Sequence, residues 1–145
     1  MSPQSQPELA KKYPFILTNF KLLAYCHGQH RAIPSLRKIV PDPYVVINRD
    51  KAQELGIGEG EWVILETPEG SIRLKAKLQE GIAPGVVSTQ HGWWQGCAAL
   101  GLPAYNPFDE TGANVNLLVA NELRDPVTGC VPHKSYLCTI RKIAP

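Results

Sequence analysis

The segment Ser71–Leu78 constrains the fold more than any other part of the sequence, because its residues alternate strictly. Apolar side chains occupy every second position, at Ile72, Leu74, Ala76 and Leu78, and basic residues lie between them. A period of two is typical of a β-strand that buries one face and exposes the other. The segment 61–66 before it is apolar and β-branched, and Thr67-Pro68-Glu69-Gly70 places proline and glycine where a type I turn favours them. The sequence therefore predicts a β-hairpin.

Turn-forming residues are frequent along the rest of the chain, with 12 glycines and 13 prolines in 145 residues. Proline cannot continue a helix, so long helices have little room. The content of 43% hydrophobic and 19% charged residues is that of one globular domain, and no stretch reaches the ~20 apolar residues of a membrane helix. The net charge of +2 is too small to indicate a nucleic-acid or membrane partner, and we expect neither.

Further strands and two short helices complete the prediction. We expect a first strand at Tyr13–Thr18, buried on both faces, and later strands at Tyr44–Ile47, Gly85–Thr89 and Tyr136–Ile140. Pro34 is suited to begin a short helix, and Asn48 is suited to cap a second helix at Arg49–Leu55 that Gly56 ends. Strands outweigh helices, which favours a mainly β fold, a small β-barrel with short helices.

The N-terminal segment, residues 1–12, is polar and has no apolar secretion signal, so we expect a flexible lead-in to a domain that spans residues 13–145. The four cysteines, Cys26, Cys97, Cys130 and Cys138, form no C-x-x-C pair, which argues against a zinc or iron–sulfur site. We expect free thiols in a reducing compartment, and hence a cytoplasmic location for this chain.

Several local motifs have a simpler structural interpretation. Gly56-Ile57-Gly58-Glu59-Gly60 lacks the G-x-G-x-x-G spacing of dinucleotide sites, and a helix end followed by a turn explains it. A self-cleaving pyruvoyl bond at Gly70-Ser71 is an alternative to the turn, and intact mass would test it. His27 and His30 with Cys26 lack a matching second ligand pair, so we expect no metal ligands. The basic face of Ser71–Leu78 carries no interleaved aromatic residues, which favours a solvated hairpin over a nucleic-acid surface.

Polar residues cluster in three other segments: Thr18 to Arg31, His91-Gly92-Trp93-Trp94, and Asn114-Val115-Asn116, with Lys134 further on. Amide and imidazole groups suit the edge of a planar heterocycle, an aromatic ring suits its face, and basic side chains suit phosphates. These segments carry no nucleophile elbow or Walker loop, so the residues indicate binding and no catalytic residue is expected.

In their order, the segments resemble the C-terminal molybdopterin-dinucleotide-binding domain of the dimethyl sulfoxide reductase superfamily of molybdenum and tungsten enzymes. The resemblance covers about Pro14 to Ile143. Its matching pieces are Leu17-Thr18-Asn19-Phe20-Lys21, Tyr25-Cys26-His27-Gly28-Gln29-His30-Arg31, Val45-Val46-Ile47-Asn48, Gly81-Ile82-Ala83-Pro84-Gly85, His91-Gly92-Trp93-Trp94, Asn114-Val115-Asn116 and Asp125-Pro126-Val127-Thr128-Gly129. The resemblance implies a double-psi β-barrel.

The same resemblance implies a cofactor and the residues that contact it. The cofactor would be bis(molybdopterin guanine dinucleotide), with molybdenum or tungsten held by the parent enzyme. The implied cofactor-binding residues are Thr18, Asn19, Lys21, His27, Gln29, Arg31, His91, Trp93, Asn114, Asn116 and Lys134. Among them Lys21, Arg31 and Lys134 would approach phosphates, and Asn114 or Asn116 would bond a pterin edge. The family often has an arginine at the position of Lys21, and a lysine there cannot make a bidentate contact.

The resemblance also sets the expected partners. The iron–sulfur cysteines and the metal-ligating residue of the family belong to other domains, so we expect no redox activity from this chain alone. Its partners would be the remaining domains or the large subunit of a molybdopterin oxidoreductase. Arg31-Ala32-Ile33-Pro34 and Trp93-Trp94 look most like the branch of arsenate, thiosulfate and polysulfide reductases and acetylene hydratase. The alternative is a stand-alone double-psi barrel without cofactor that presents Trp93-Trp94 as an exposed protein-binding patch.

Overall fold

The computed structural model describes residues 2–131 and 134–143. The six strands are β1 (Phe15–Phe20), β2 (Tyr44–Asn48), β3 (Trp62–Thr67), β4 (Gly70–Gln79), β5 (Val86–Gln90) and β6 (Tyr136–Lys142). The helices are α1 (Pro7–Lys12), α2 (Pro34–Arg37) and α3 (Arg49–Glu54), with short 3-10 helices at Ala98–Leu100 and Val115–Leu118. The mainly β composition expected from the sequence is confirmed.

The strands close into a barrel in the order β1-β5-β2-β4-β3-β6. Two neighbouring pairs, β1 with β5 and β2 with β4, run parallel, and the other four pairs run antiparallel. The expected barrel is therefore confirmed. These directions place the C-terminal ends of β1, β3 and β5 and the N-terminal ends of β2, β4 and β6 at one end of the barrel, which we call the loop end.

The predicted hairpin is the pair β3–β4, in which Thr67 pairs with Gly70. Ile72, Leu74 and Ala76 are buried in the barrel, whereas the basic residues between them are half-buried on the outside. The alternation read from the sequence therefore gives the correct inward face. The Gly70-Ser71 bond opens β4 inside this hairpin, as turn chemistry predicts.

The end opposite the loop end follows the predicted capping rules. Asn48 caps α3, since its side-chain oxygen accepts a hydrogen bond of 3.2 Å from the Lys51 amide. Gly56 and Gly60 have φ angles of 65° and 75°, a left-handed backbone that disfavours other residues. The interpretation of the glycine-rich segment as a helix end and turn is confirmed.

The first strand differs from its prediction. β1 begins at Phe15 and buries Phe15 and Leu17 but leaves Ile16 and Thr18 half-buried. A strand buried on both faces was expected, and this expectation is wrong. A barrel strand has one face in the core and one face outside, so an apolar run need not be buried on both sides.

The N-terminal segment contains α1, and its flexibility stays a prediction; Met1 lies outside the described residues. All four cysteines are free, with Cys26 and Cys130 exposed and Cys97 and Cys138 buried. Within residues 2–131 and 134–143, no helix is long and apolar enough to cross a bilayer.

Candidate functional site

The loops after β1 and β5 touch through their backbones at the loop end. We call residues 21–33 the β1 loop and residues 91–97 the β5 loop. A Cβ atom added to Gly92 would lie 2.6 Å from the Gly28 Cα atom and 3.0 Å from the Trp94 ring. Gly92 also has a φ of 54°, which disfavours any other residue. The two loops therefore pack this closely because both positions lack a side chain.

The β1 loop holds two histidines in a strained backbone conformation. His27 and His30 have φ angles of 49° and 71°, and they are the non-glycine residues with positive φ in the described chain. Such conformations cost of order 1–3 kcal/mol and cluster at functional sites. The His27 ring lies 5.9 Å from the His91 ring of the β5 loop, measured between centroids. The strain therefore lies where the two predicted loops meet.

Arg31 joins the two loops from beneath. It is 1% exposed, and its terminal nitrogens donate hydrogen bonds of 2.6 Å each to the backbone carbonyls of His27 and His91. Burial lowers the pKa of Arg31 to about 10. The Tyr25 hydroxyl opposes this lowering, and the positive charge of Arg37 adds to it. Arg31 is therefore charged at neutral pH. The fork expected to bind a phosphate instead binds the protein's own backbone, because the folded loops enclose it.

Arg37 is a second buried guanidinium, which the sequence analysis assigned only to a short helix. It is also 1% exposed. It donates to the carbonyls of Pro41 at 2.8 Å, Gln95 at 2.9 Å and Arg31 at 3.3 Å. Arg37 therefore connects α2 and the entry to β2 with both loops.

Trp93 packs against both guanidinium groups. Its ring is 0% exposed and lies 4.6 Å from the Arg31 guanidinium carbon and 4.9 Å from that of Arg37. Tyr25 meets the same ring edge-on at 5.7 Å. The exposed Trp93-Trp94 patch expected for a protein-interaction barrel is thus wrong for Trp93, and Trp94 is half-buried over the two glycines. Trp93 was also predicted to contact the cofactor. Its ring lies beneath the loop surface, because the core encloses it.

The third predicted segment adjoins the β5 loop through a bridge between Trp93 and Ala113. The buried Asn114 amide is already engaged, because its nitrogen donates to the Pro107 carbonyl at 2.8 Å and its oxygen accepts from the Asn116 amide at 3.2 Å. Asn116 is exposed. Of the two alternatives for the pterin edge, the structure leaves the Asn116 side chain accessible.

The remaining predicted residues lie at the same end of the barrel. Thr18 and Asn19 are half-buried near the end of β1, where they pair with Ser88 and Thr89 of β5. The other exposed members of the predicted set are Lys21, His27, Gln29 and Lys134. The contacts described above link His27, Arg31, His91 and Trp93. Lys134 lies at the loop end because it is two residues before the start of β6.

The electrostatic character of these loops is a signal that the sequence analysis missed. Between residues 21 and 41 the charged residues are Lys21, Arg31, Arg37 and Lys38, and residues 91–108 contain no charged residue. The rest of the chain thus has 11 basic against 13 acidic residues, out of totals of 15 and 13. Asp42, the next acidic residue, pairs with Lys75 at 2.6 Å. The excess positive charge of the chain is therefore concentrated in residues 21–41, whereas the acidic residues of the loop end, such as Glu69, Asp109 and Glu110, lie in other connections.

The basic face of β4 is less simple than expected. Arg73 and Lys75 lie over the Trp62 ring at 5.9 and 5.4 Å, and Lys77 lies over the Tyr44 ring at 4.7 Å. The neighbouring strands β3 and β2 thus supply aromatic rings between the basic side chains, a contact that one strand's sequence does not reveal. These contacts hold the cations against the barrel flank.

The described residues contain few groups of metal-ligating type near one another. Among residues 2–131 and 134–143, no group of three or more His, Cys, Asp or Glu side chains is arranged to hold a metal ion. The contacts described above offer hydrogen-bond donors and positive charge.

Comparison with known proteins agrees with this chemistry. Residues 15–137 match the family described as the molydopterin dinucleotide binding domain. A dopamine dehydroxylase from Eggerthella lenta is 33% identical over 141 residues, which cover 93% of this chain and 13% of that protein. An acetylene hydratase from Syntrophotalea acetylenica is 36% identical over 97 residues, 62% of this chain and 12% of that protein.

A solved structure of an acetylene hydratase also resembles this chain. Acetylene hydratase from Pelobacter acetylenicus superposes with a TM-score of 0.84 and 26% identity, over 99% of this chain and 20% of that one. The chain thus spans about an eighth to a fifth of the length of these relatives. It belongs to the molydopterin dinucleotide binding domain family of the dimethyl sulfoxide reductase superfamily.

Proposed function

Because the chain belongs to this family, we propose that it binds bis(molybdopterin guanine dinucleotide) at the loop end. In this proposal it is the C-terminal domain or a small subunit of an anaerobic molybdenum or tungsten oxidoreductase. The metal of that cofactor would supply the redox chemistry, and other domains of the parent enzyme would hold the metal. This chain would bind and orient the dinucleotide.

The observation that carries the proposal is the meeting of the β1 and β5 loops over two buried cations. A pyrophosphate-bearing ligand needs positive charge and hydrogen-bond donors, and the loops supply both without an acidic residue in residues 21–41 or 91–108. The buried Arg31 Nε and Trp93 Nε1 atoms have no hydrogen-bond partner within the described chain. The backbone contact at Gly28 and Gly92 also brings the two loops to one surface. The residues present therefore fit such a group.

We assign the contacts by exposure. Lys21 and Lys134 are exposed cations that suit the phosphates, whereas Gln29 and Asn116 are exposed amides that suit the edge of a pterin or guanine ring. Arg31 contributes through the carbonyls of the β1 and β5 loops that it holds. In this assignment Trp93 supports the site from within the core.

Calorimetric titration under anaerobic conditions tests the proposal, with molybdopterin guanine dinucleotide freshly released from a loaded relative. We expect Lys21→Ala to weaken binding about ten- to hundredfold, because a hydrogen bond to a charged group contributes ~1.5–3 kcal/mol. Asn116→Ala should weaken it less, since its contact is neutral. Lys51→Ala, which removes the same charge from α3 at the opposite end of the barrel, is the matched control and should leave the affinity unchanged.

Two results would contradict the proposal. One is an unaltered chain that does not bind the dinucleotide, and the other is an equal loss of affinity in the Lys21→Ala and Lys51→Ala variants. Whether the domain is one segment of a longer polypeptide is a separate measurement. An antibody against this chain, used on native cell extract, should detect either a polypeptide several times larger or a 16.0 kDa subunit that co-purifies with a large molybdopterin subunit.

A further inference from the structure

Arg31 and Arg37 are two buried cations without an acidic partner among the described residues. Their hydrogen bonds all end on backbone carbonyls. The ion pairs formed within residues 2–131 and 134–143 include neither of them. Carbonyl oxygens and aromatic rings solvate a cation but do not neutralise it, so the two charges are uncompensated within the described chain.

The packing of the two guanidinium groups is close. Arg37 donates to the Arg31 carbonyl, and both guanidinium carbons lie within 5 Å of the Trp93 ring. Two like charges in one buried cluster repel each other, and apolar side chains of similar volume often fill such space at an equal or lower free-energy cost. Packing alone therefore does not explain why this cluster contains two cations.

The position of the cluster suggests what the charges act on. Arg31 binds the carbonyls of His27 in the β1 loop and His91 in the β5 loop, and Arg37 binds the Gln95 carbonyl of the β5 loop. The cluster thus lies directly beneath the surface where the loops meet. An anion on that surface is separated from the two charges by little more than the loop backbone, where protein screens less than water does.

We propose that Arg31 and Arg37, stacked on Trp93, are positioning residues that hold the two loops together and attract the phosphates of an anionic ligand through the loop backbone. The missing counter-charge of the cluster is then the pyrophosphate group of that ligand. This inference rests on the proposed function for the identity of the ligand, but the electrostatic attraction acts on any polyphosphate at the loop end.

Inorganic pyrophosphate is the probe, and its dissociation constant is measured by calorimetry at constant ionic strength. We expect Arg37→Met, which keeps the length but removes the charge, to weaken binding about five- to tenfold, as the loss of one nearby unit charge would at intermediate dielectric. Arg37→Lys keeps the charge and loses the fork, and should stay within about twofold of the unaltered chain. Arg49→Met is the matched control, because Arg49 is half-exposed at the opposite end and pairs with Glu80.

A second variant tests the same idea with the opposite change. The Gln95 side-chain oxygen accepts a hydrogen bond of 3.1 Å from the Arg31 amide. Gln95→Glu keeps this acceptor and adds a negative charge beside the cluster. It should raise the urea midpoint of the free protein and weaken pyrophosphate binding, whereas a purely structural role for the arginines predicts no loss of affinity. This variant also provides a test if Arg37→Met does not fold.

The outcomes separate this inference from the proposed function. Equal weakening by Arg37→Met and Arg37→Lys, unchanged affinity in Gln95→Glu, or an unaltered chain that does not bind pyrophosphate overturns the inference. If the unaltered chain binds pyrophosphate with the expected dependence on Arg37 but does not bind the pterin dinucleotide, the proposed function fails and the inference stands. If the chain binds the dinucleotide and neither Arg37→Met nor Gln95→Glu changes that affinity, the inference fails and the proposed function stands.

Discussion

The two ends of the barrel obey different rules. At the opposite end Asn48 caps α3, and Gly56 and Gly60 take the left-handed conformations that suit glycine. At the loop end two histidines take that conformation, and two arginines are buried without an acidic partner in the described chain. A sequence that satisfies local preferences at one end and departs from them at the other indicates where function has been selected at a cost in stability.

The largest expected effect is the loss of Trp93 from the loop end. Trp93→Ala should lower the free energy of unfolding by about 3–5 kcal/mol, because it opens a cavity in the core and removes the ring beside both guanidinium groups. Urea unfolding measures this loss. Trp62→Ala is the control, since Trp62 is half-buried on the barrel flank, and it should cost less than half as much. Equal losses would show that the cluster adds nothing to the stability of the loop end.

The next effect compares glycines at the two ends. Gly60→Ala should lower the free energy of unfolding by about 1–2 kcal/mol. This loss comes from the left-handed backbone alone, since an added Cβ atom meets nothing within 4 Å. Gly92→Ala should cost about 1–3 kcal/mol more, because its Cβ atom would collide with the Gly28 backbone. Thermal unfolding of both variants measures the difference. A Gly92→Ala variant as stable as Gly60→Ala would mean that the loops do not require this close contact.

The smallest effect lies at the opposite end, where local rules hold. Asn48→Ala should lower the free energy of unfolding by about 1 kcal/mol, the usual contribution of a helix N-cap. It also removes the 2.9 Å hydrogen bond that the Asn48 amide donates to the Ile82 carbonyl, which adds to the loss. The variant should still bind pyrophosphate with unchanged affinity, because Asn48 is remote from the two loops. An effect of Asn48→Ala on that affinity would break the proposed separation between the two ends.

The elements that could be predicted from the sequence are those that depend on near neighbours. The hairpin β3–β4, the helix α3 with its Asn48 cap and the glycine turn were all predicted, because alternation, capping and turn chemistry act within a few residues. The family and its barrel were identified from the order of seven segments. Burial of β1 on both faces was predicted wrongly, since a strand's sequence does not report whether the barrel covers its outer face.

The candidate site was predicted in composition but not in arrangement. The polar residues of the β1 and β5 loops were identified, and His27, Arg31, His91 and Trp93 are brought together in the structure. Arg37 was missed because a single arginine in a short helix is usually exposed. The exclusively basic charge of residues 21–41 was the available signal. It required counting charge by segment, whereas the net charge of +2 for the whole chain conceals it.

By itself, the sequence determined the mainly β fold, the hairpin, the capped helix and the family, because these follow from patterns along the chain. Only the tertiary structure decided that Arg31 binds backbone carbonyls, that Arg37 lies beside it and that Trp93 is enclosed. The contacts responsible join residues about 60 positions apart, as between Arg31 and His91 or Arg37 and Gln95. Burial and partners of a charged side chain depend on which strands the barrel places side by side, and no local pattern encodes that pairing.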